Sequence, residues 1–165
     1  MSSRYEALVA SLDGNDFYPP AMELAGGGAE AIPAVHAGMS HSNWRIRRGC
    51  AWALGQLADA ESLRRLTLLT RDPKKKVRKM AILSLGLAAR QGNGSGRGID
   101  SVPQFAYSAV HDPSVRVRRV AVLMLLLQAP ERRVARILRK VMATEQDPKV
   151  VRLAEWALQQ RGKRA

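Results

Sequence analysis

The 165 residues are 46% hydrophobic and 25% charged, which fits a folded chain with a real core and excludes a disordered, low-complexity one. Lys and Arg number 27 against 14 acidic residues, a formal charge of +13 with a pI near 11.0. The excess is uneven: residues 1–40 hold only Arg4 against five acids, net −4, and the remainder carries +17. A basic body behind an acidic leader points to a polyanionic or acidic partner.

The first residues lack the charged and then apolar run of a signal peptide. Ser3 and Glu6 have capping-box spacing, and Tyr5, Leu8, Val9 and Leu12 mark one face of a short leading helix. Pro19-Pro20 and Gly26-Gly27-Gly28 then predict a less regular segment across 13–28. Helix pairs follow: 29–39 with 42–58, 61–71 with 73–90, 102–110 with 113–128, and 131–144 with 148–160. The stretch 91–98, with four alternating glycines, reads as a linker, since it has no preceding strand and no Gly-Lys-Ser/Thr ending for a phosphate loop. The longest apolar run, Val120 to Leu127, is eight residues and far short of a membrane span. The domain expectation is one unit over 1–165: an N-terminal cap over 1–28, repeats over 29–160 and a basic tail over 161–165.

One phrase recurs four times, beginning at His41, Asp72, Asp112 and Asp147. Its β-branched residues, Ile46, Val77, Val117 and Val150, lie 31, 40 and 33 positions apart. Recurrence over that interval marks stacked helical units, each too small to bury its own apolar face. Asp-Pro opens three of the four phrases, with Asp able to cap free amides and Pro having none to satisfy; Ser42 or Asn43 can cap the first.

These residues resemble the HEAT repeat, in its bacterial phycobilisome-lyase-type form. Asp72-Pro73, Val77-Arg78, Ala81 and Leu85-Gly86 fit its pattern closely, as do Asp112-Pro113, Val117-Arg118, Ala121 and Leu125. Ile46-Arg47 and Leu54-Gly55 fit with Cys50 in the Ala place, and the last unit departs with Val151 in the Arg place. The resemblance covers about 29–160 and implies an all-α, right-handed α-solenoid of about four HEAT-like helix pairs behind an N-terminal capping helix. It also implies a ladder in which Arg47, Arg78 and Arg118 pair with the helix-starting Asp72, Asp112 and Asp147 of neighbouring units.

Eleven of the twelve places just before, just after and two after the β-branched residues are basic. At about 100° per residue the places before and two after point away from the core, which lies near the β-branched residue itself. They hold Arg45, Arg48, Lys76, Lys79, Arg116, Arg119, Lys149 and Arg152, all in first helical turns where the macrodipole disfavours cations. Trp44 stands beside them, either packed over arginine stems or free to stack a base. Trp52 is expected between units and Trp156 in the core of the last one, while Arg132, Arg133, Arg136, Arg139 and Lys140 form a solvated outer face.

No catalytic constellation emerges. His36, His41 and His111 are scattered and share no metal spacing with Cys50, so no metal and no cofactor are expected. A lone cysteine fits a reducing compartment, hence a cytoplasmic protein without membrane attachment. The expected function is a non-catalytic scaffold or adaptor that binds an acidic partner protein segment through the basic inner face. The alternative is a sequence-nonspecific DNA or RNA backbone binder. A HEAT-like DNA glycosylase comes third, with only Trp44, Trp52 and Glu155-Trp156 available for its groove.

Overall fold

A computed structural model describes residues 4–91, 99–128 and 132–162. Ser3 of the capping box, most of the glycine-rich linker, Glu131 at the expected start of its helix, and Lys163 and Arg164 of the tail lie outside the described residues.

Among the described residues there are ten α-helices and one short 3-10 turn, and no strand. They fall into two compact units, residues 1–99 and 100–165. The first contains α1 (Arg4–Ser11), α2 (Tyr18–Gly26), α3 (Ile32–Gly38), α4 (Trp44–Leu57), α5 (Ala60–Leu69) and α6 (Lys75–Gln91). The second contains α7 (Val102–His111), α8 (Val115–Leu126), α9 (Arg132–Thr144) and α10 (Pro148–Gly162).

In the first unit, α1 packs on α2, α3 on α4 and α5 on α6. The second members α2, α4 and α6 lie side by side in one layer, and α1, α3 and α5 form the other. The second unit repeats the plan, with α7 on α8, α9 on α10, α8 beside α10 and α7 beside α9. Between the layers sit side chains with no solvent exposure: Leu12, Leu24, Leu54, Leu66 and Ile82 in the first unit, Phe105, Leu125 and Leu138 in the second. Removing each such side chain from water stabilises its unit by about 1.5–3 kcal/mol.

The leader is more regular than its sequence suggests, because 18–26 is helical where an irregular segment was expected. Pro19 and Pro20 occupy the first turn of α2, where a missing amide breaks no helical hydrogen bond. They start this helix instead of interrupting one, and the cap is a helix pair, α1 with α2.

The Asp-Pro pairs act through short side-chain turns. Asp72 Oδ1 accepts from the Lys74 amide at 2.8 Å and Asp112 Oδ1 from the Ser114 amide at 2.8 Å, so α6 and α8 begin beyond the prolines. Asp147 Oδ1 accepts from the amides of Lys149 and Val150, and α10 does begin at Pro148. In α4 the cap is Asn43, whose side chain accepts from the Arg45 amide at 2.9 Å.

Gly55 permits the close crossing of α4 and α6. A Cβ there would stand 2.5 Å from the Ser84 Cβ and 3.1 Å from its Cα.

Candidate binding face on the second helices

The arginine after each β-branched residue works as a clamp inside the fold. Arg47 Nη1 donates to the His41 and Ser42 carbonyls, each at 2.8 Å, closing the turn that leads into its own helix. Its Nε and Nη2 reach the Asp72 carboxylate at 2.7 and 3.0 Å, tying α4 to the turn before α6. Both side chains are largely buried, at 13% and 4% exposure. The Asp72 hydrogen bond is the main cause raising the Arg47 pKa. Arg78 likewise donates to the Asp72 and Pro73 carbonyls, and Arg118 to the Asp112 carbonyl. Asp112 belongs to the second unit and Arg78 to the first.

The last rung departs from the expected ladder. Arg118 donates to Glu145, at 2.6 and 2.9 Å, and not to the Asp147 side chain. Asp147 is occupied as the cap of α10, and the longer Glu145, two residues earlier, brings its carboxylate to Arg118. The same carboxylate accepts from the amides of Gln146 and Asp147. The Arg118 hydrogen bond leads the causes that hold the Glu145 pKa below its ordinary value, against the opposing effect of burial.

The outward cations have different surroundings. Arg45, Lys76 and Lys79 in the first unit are exposed, and Arg48 is half-buried. In the second unit Arg116, Arg119, Lys149 and Arg152 are all exposed. None of α4, α6, α8 and α10 has an acidic residue in its first turn. Among the described residues the ion pair made by this set is Arg45 with Asp13, at 3.8 Å between exposed groups. Such a pair contributes little, about 0–1 kcal/mol.

In the first unit the cations converge on Trp44. Lys76 Nζ lies 4.8 Å from the indole centroid, Arg45 Cζ 5.3 Å, Arg48 Cζ 5.4 Å and Lys74 Nζ 5.6 Å. The negative ring face offsets part of their mutual repulsion, each contact being worth about 0.5–1 kcal/mol at exposed sites. Arg48 also covers the Phe17 ring at 4.2 Å. Its Nε is buried with no hydrogen-bond partner, and burial, then the Arg45 charge, lowers its pKa. The sequence did not single out Lys74 or Phe17. Lys74 occupies a place that does not recur as basic in the other phrases, and Phe17 falls in the segment read as irregular.

Trp52 packs against Tyr18 of α2, with ring centroids 4.9 Å apart and the planes tilted by 53°. Trp156 is 46% exposed and does not close the core as expected. Six places beyond the buried Val150, it points about 240° around the helix from that residue, well away from the interior. On the basic face of α9, Arg132, Arg133, Arg136, Arg139 and Lys140 are exposed, and Arg133 donates to both oxygens of Asp100, just before α7.

Ser, His and carboxylate side chains do meet between α3 and α5. His36 Nε2 is 3.0 Å from Ser62 Oγ, while Asp59 Oδ1 accepts from the Ser62 amide. Ser62 has no solvent exposure, and a serine held between the other two is not a nucleophile activated by a histidine. Among the described residues no group of three or more His, Cys, Asp or Glu is placed to hold a metal ion, and no helix is long and apolar enough to cross a membrane.

The family described as HEAT repeats matches residues 21–86 and 64–159, most of the chain. The chain belongs to the HEAT-repeat family. A chain from the structure of the complex of CpcE and CpcF of phycocyanin lyase from Nostoc sp. PCC7120 superposes with a TM-score of 0.75, covering 93% of this chain and 96% of that one. At 16% identity, the likeness is one of fold: an all-helical HEAT-repeat solenoid. No curated protein matches the sequence. The HEAT match begins at Ala21, inside α2.

Proposed function

We propose that this HEAT-repeat protein is a non-catalytic binding module that holds an acidic segment of a partner protein on its second helices. The contact residues are Arg45, Arg48, Lys76 and Lys79, with Trp44, in one unit, and Arg116, Arg119, Lys149 and Arg152 in the other. The observation that carries the reading is the crowding of four cations around Trp44 with one weakly paired carboxylate, Asp13, beside them. Arg45, Lys76, Arg116 and Lys149 are the second residues of their helices, where a cation opposes the macrodipole at about 0.3–1 kcal/mol each. A bound carboxylate reverses that sign and draws on the amide ends as well. The phycocyanin lyase complex, named for two assembled proteins, adds a precedent for protein partners on this fold. The same reading places the chain in a reducing, cytoplasmic setting, supported by the single buried Cys50.

The test is a pair of titrations, a fluorescein-labelled oligo-glutamate peptide and a labelled mixed-sequence DNA duplex, each at 50 and 200 mM salt. The peptide is expected to saturate at fixed stoichiometry with a mild salt slope, and Lys76→Glu with Lys79→Glu is expected to weaken it at least tenfold. Duplex binding through the four cations of one unit would instead lose about 10²-fold in affinity over that salt range. Tight duplex binding with that slope and weak peptide binding would overturn the proposal in favour of nucleic acid.

A further inference from the structure

We infer that the partner segment is an amphipathic helix, acidic along one stripe and apolar along the next, and that its apolar side chains seat on Trp52 and Leu83 or on Leu123 and Trp156. The inference rests on the acidic-partner reading and narrows its chemistry.

Its basis is a second recurrence on the same helices. Six places beyond Ile46, Val77, Val117 and Val150 stand Trp52, Leu83, Leu123 and Trp156, all large and apolar. Since the four β-branched residues are buried, this column points about 240° from the core side, between the two cation rows at about 200° and 260°. It therefore shares the face that carries the cations, about 6 to 10 Å further along each helix. Leu123 is 37% and Trp156 46% exposed, while Trp52 and Leu83 are half-buried. Tyr18 and Met22 of α2, one turn apart and 50% and 53% exposed, extend the apolar side of the first unit, with the Tyr18 ring tilted against Trp52.

Each unit thus presents the same motif by itself: four cations at the starts of two neighbouring helices and two large apolar side chains a turn or two further on. Leu123 and Trp156 leave hydrocarbon in water, and Trp52 and Leu83 are only partly covered. A nucleic-acid backbone would use the cations and leave this column uncovered. A helix about 10–12 Å across places two adjacent stripes at a matching separation. Neighbouring second helices lie about 8–10 Å apart, close to the rise of about 10.5 Å over seven residues of a bound helix. One heptad per repeat therefore brings a fresh acidic and apolar pair onto each second helix.

The test uses two synthetic three-heptad peptides of identical charge, one with a Leu stripe beside a Glu stripe and one with that Leu stripe replaced by Ala, which preserves helix propensity. Binding is measured to the full chain and to two double variants, Trp52→Ala with Leu83→Ala and Leu123→Ala with Trp156→Ala, whose folding is checked by circular dichroism. The expected result is at least tenfold tighter binding of the Leu peptide, with the gap narrowing in either variant. Equal binding of both peptides would overturn the amphipathic inference and leave the acidic-partner reading standing. A gap unchanged in both variants would overturn the seating on this column. Failure of both peptides to bind at low salt would overturn the inference together with the reading beneath it.

Discussion

Asp72→Ala tests the internal clamp, and its cost can be worked from the contacts. The substitution removes a carboxylate 4% exposed that accepts two hydrogen bonds from Arg47 and one from the Lys74 amide. Leaving one member of a buried ion pair uncompensated costs about 3–5 kcal/mol. Arg47 retains the His41 and Ser42 carbonyls as acceptors, which favours the lower end of that range. The Lys74 amide also loses its acceptor, which adds about 1 kcal/mol. The expected total is therefore about 4 kcal/mol, or a fall in Tm of about 8–16 °C for a chain this long. Thermal and urea unfolding followed by circular dichroism measure it, alongside Arg47→Met and the double variant. Because removing both partners leaves no stranded charge, the double variant is expected to recover at least about 2 kcal/mol relative to the sum of the singles. A cost below about 1 kcal/mol for Asp72→Ala, or simple additivity, would refute the clamp as a structural element.

Three further outcomes follow from the same geometry. Glu145→Gln is expected to destabilise the chain at neutral pH; since its folded pKa is depressed, its contribution is complete above the ordinary carboxylate value and lost as pH falls through the lowered one, so the stability gap to the parent chain should close on acidification. Gly55→Ala is expected to cost about 1–3 kcal/mol by forcing α4 from α6, with partial rescue by Ser84→Gly, read by urea midpoints. Cys50, fully buried with its thiol pushed up to about 12 by burial, should resist iodoacetamide in the native chain and react once it is unfolded in urea at pH 8.5, as mass spectrometry would show.

Periodicity made the helices legible, since apolar residues three and four apart, punctuated by Asp-Pro, place the pairs from α3 to α10 within a few residues of their observed bounds. What misled was local chemistry with two meanings. Pro19-Pro20 looks like a break, yet proline suits a first turn as well as a loop, and α2 depends on that second use. Trp156 looked like core by its size, although its angular place already pointed outward. The outward cation rows were legible because they recur in register. The ring of charge on Trp44 was legible only in part, because Lys74 enters from the turn before α6 and Phe17 from the leader. Glu145 carries no Asp-Pro mark, and its role emerges only from where its oxygens stand.

That last substitution has a wider bearing on how repeats of this kind can be joined. A guanidinium asks for two oxygens at a particular spot, and Asp72 and Glu145 answer from different distances along the backbone. Junctions of this sort are therefore interchangeable at the level of atoms while their lettering drifts. A repeat grafted after α4 or α8 would need to supply that oxygen pair, whichever residue carries it.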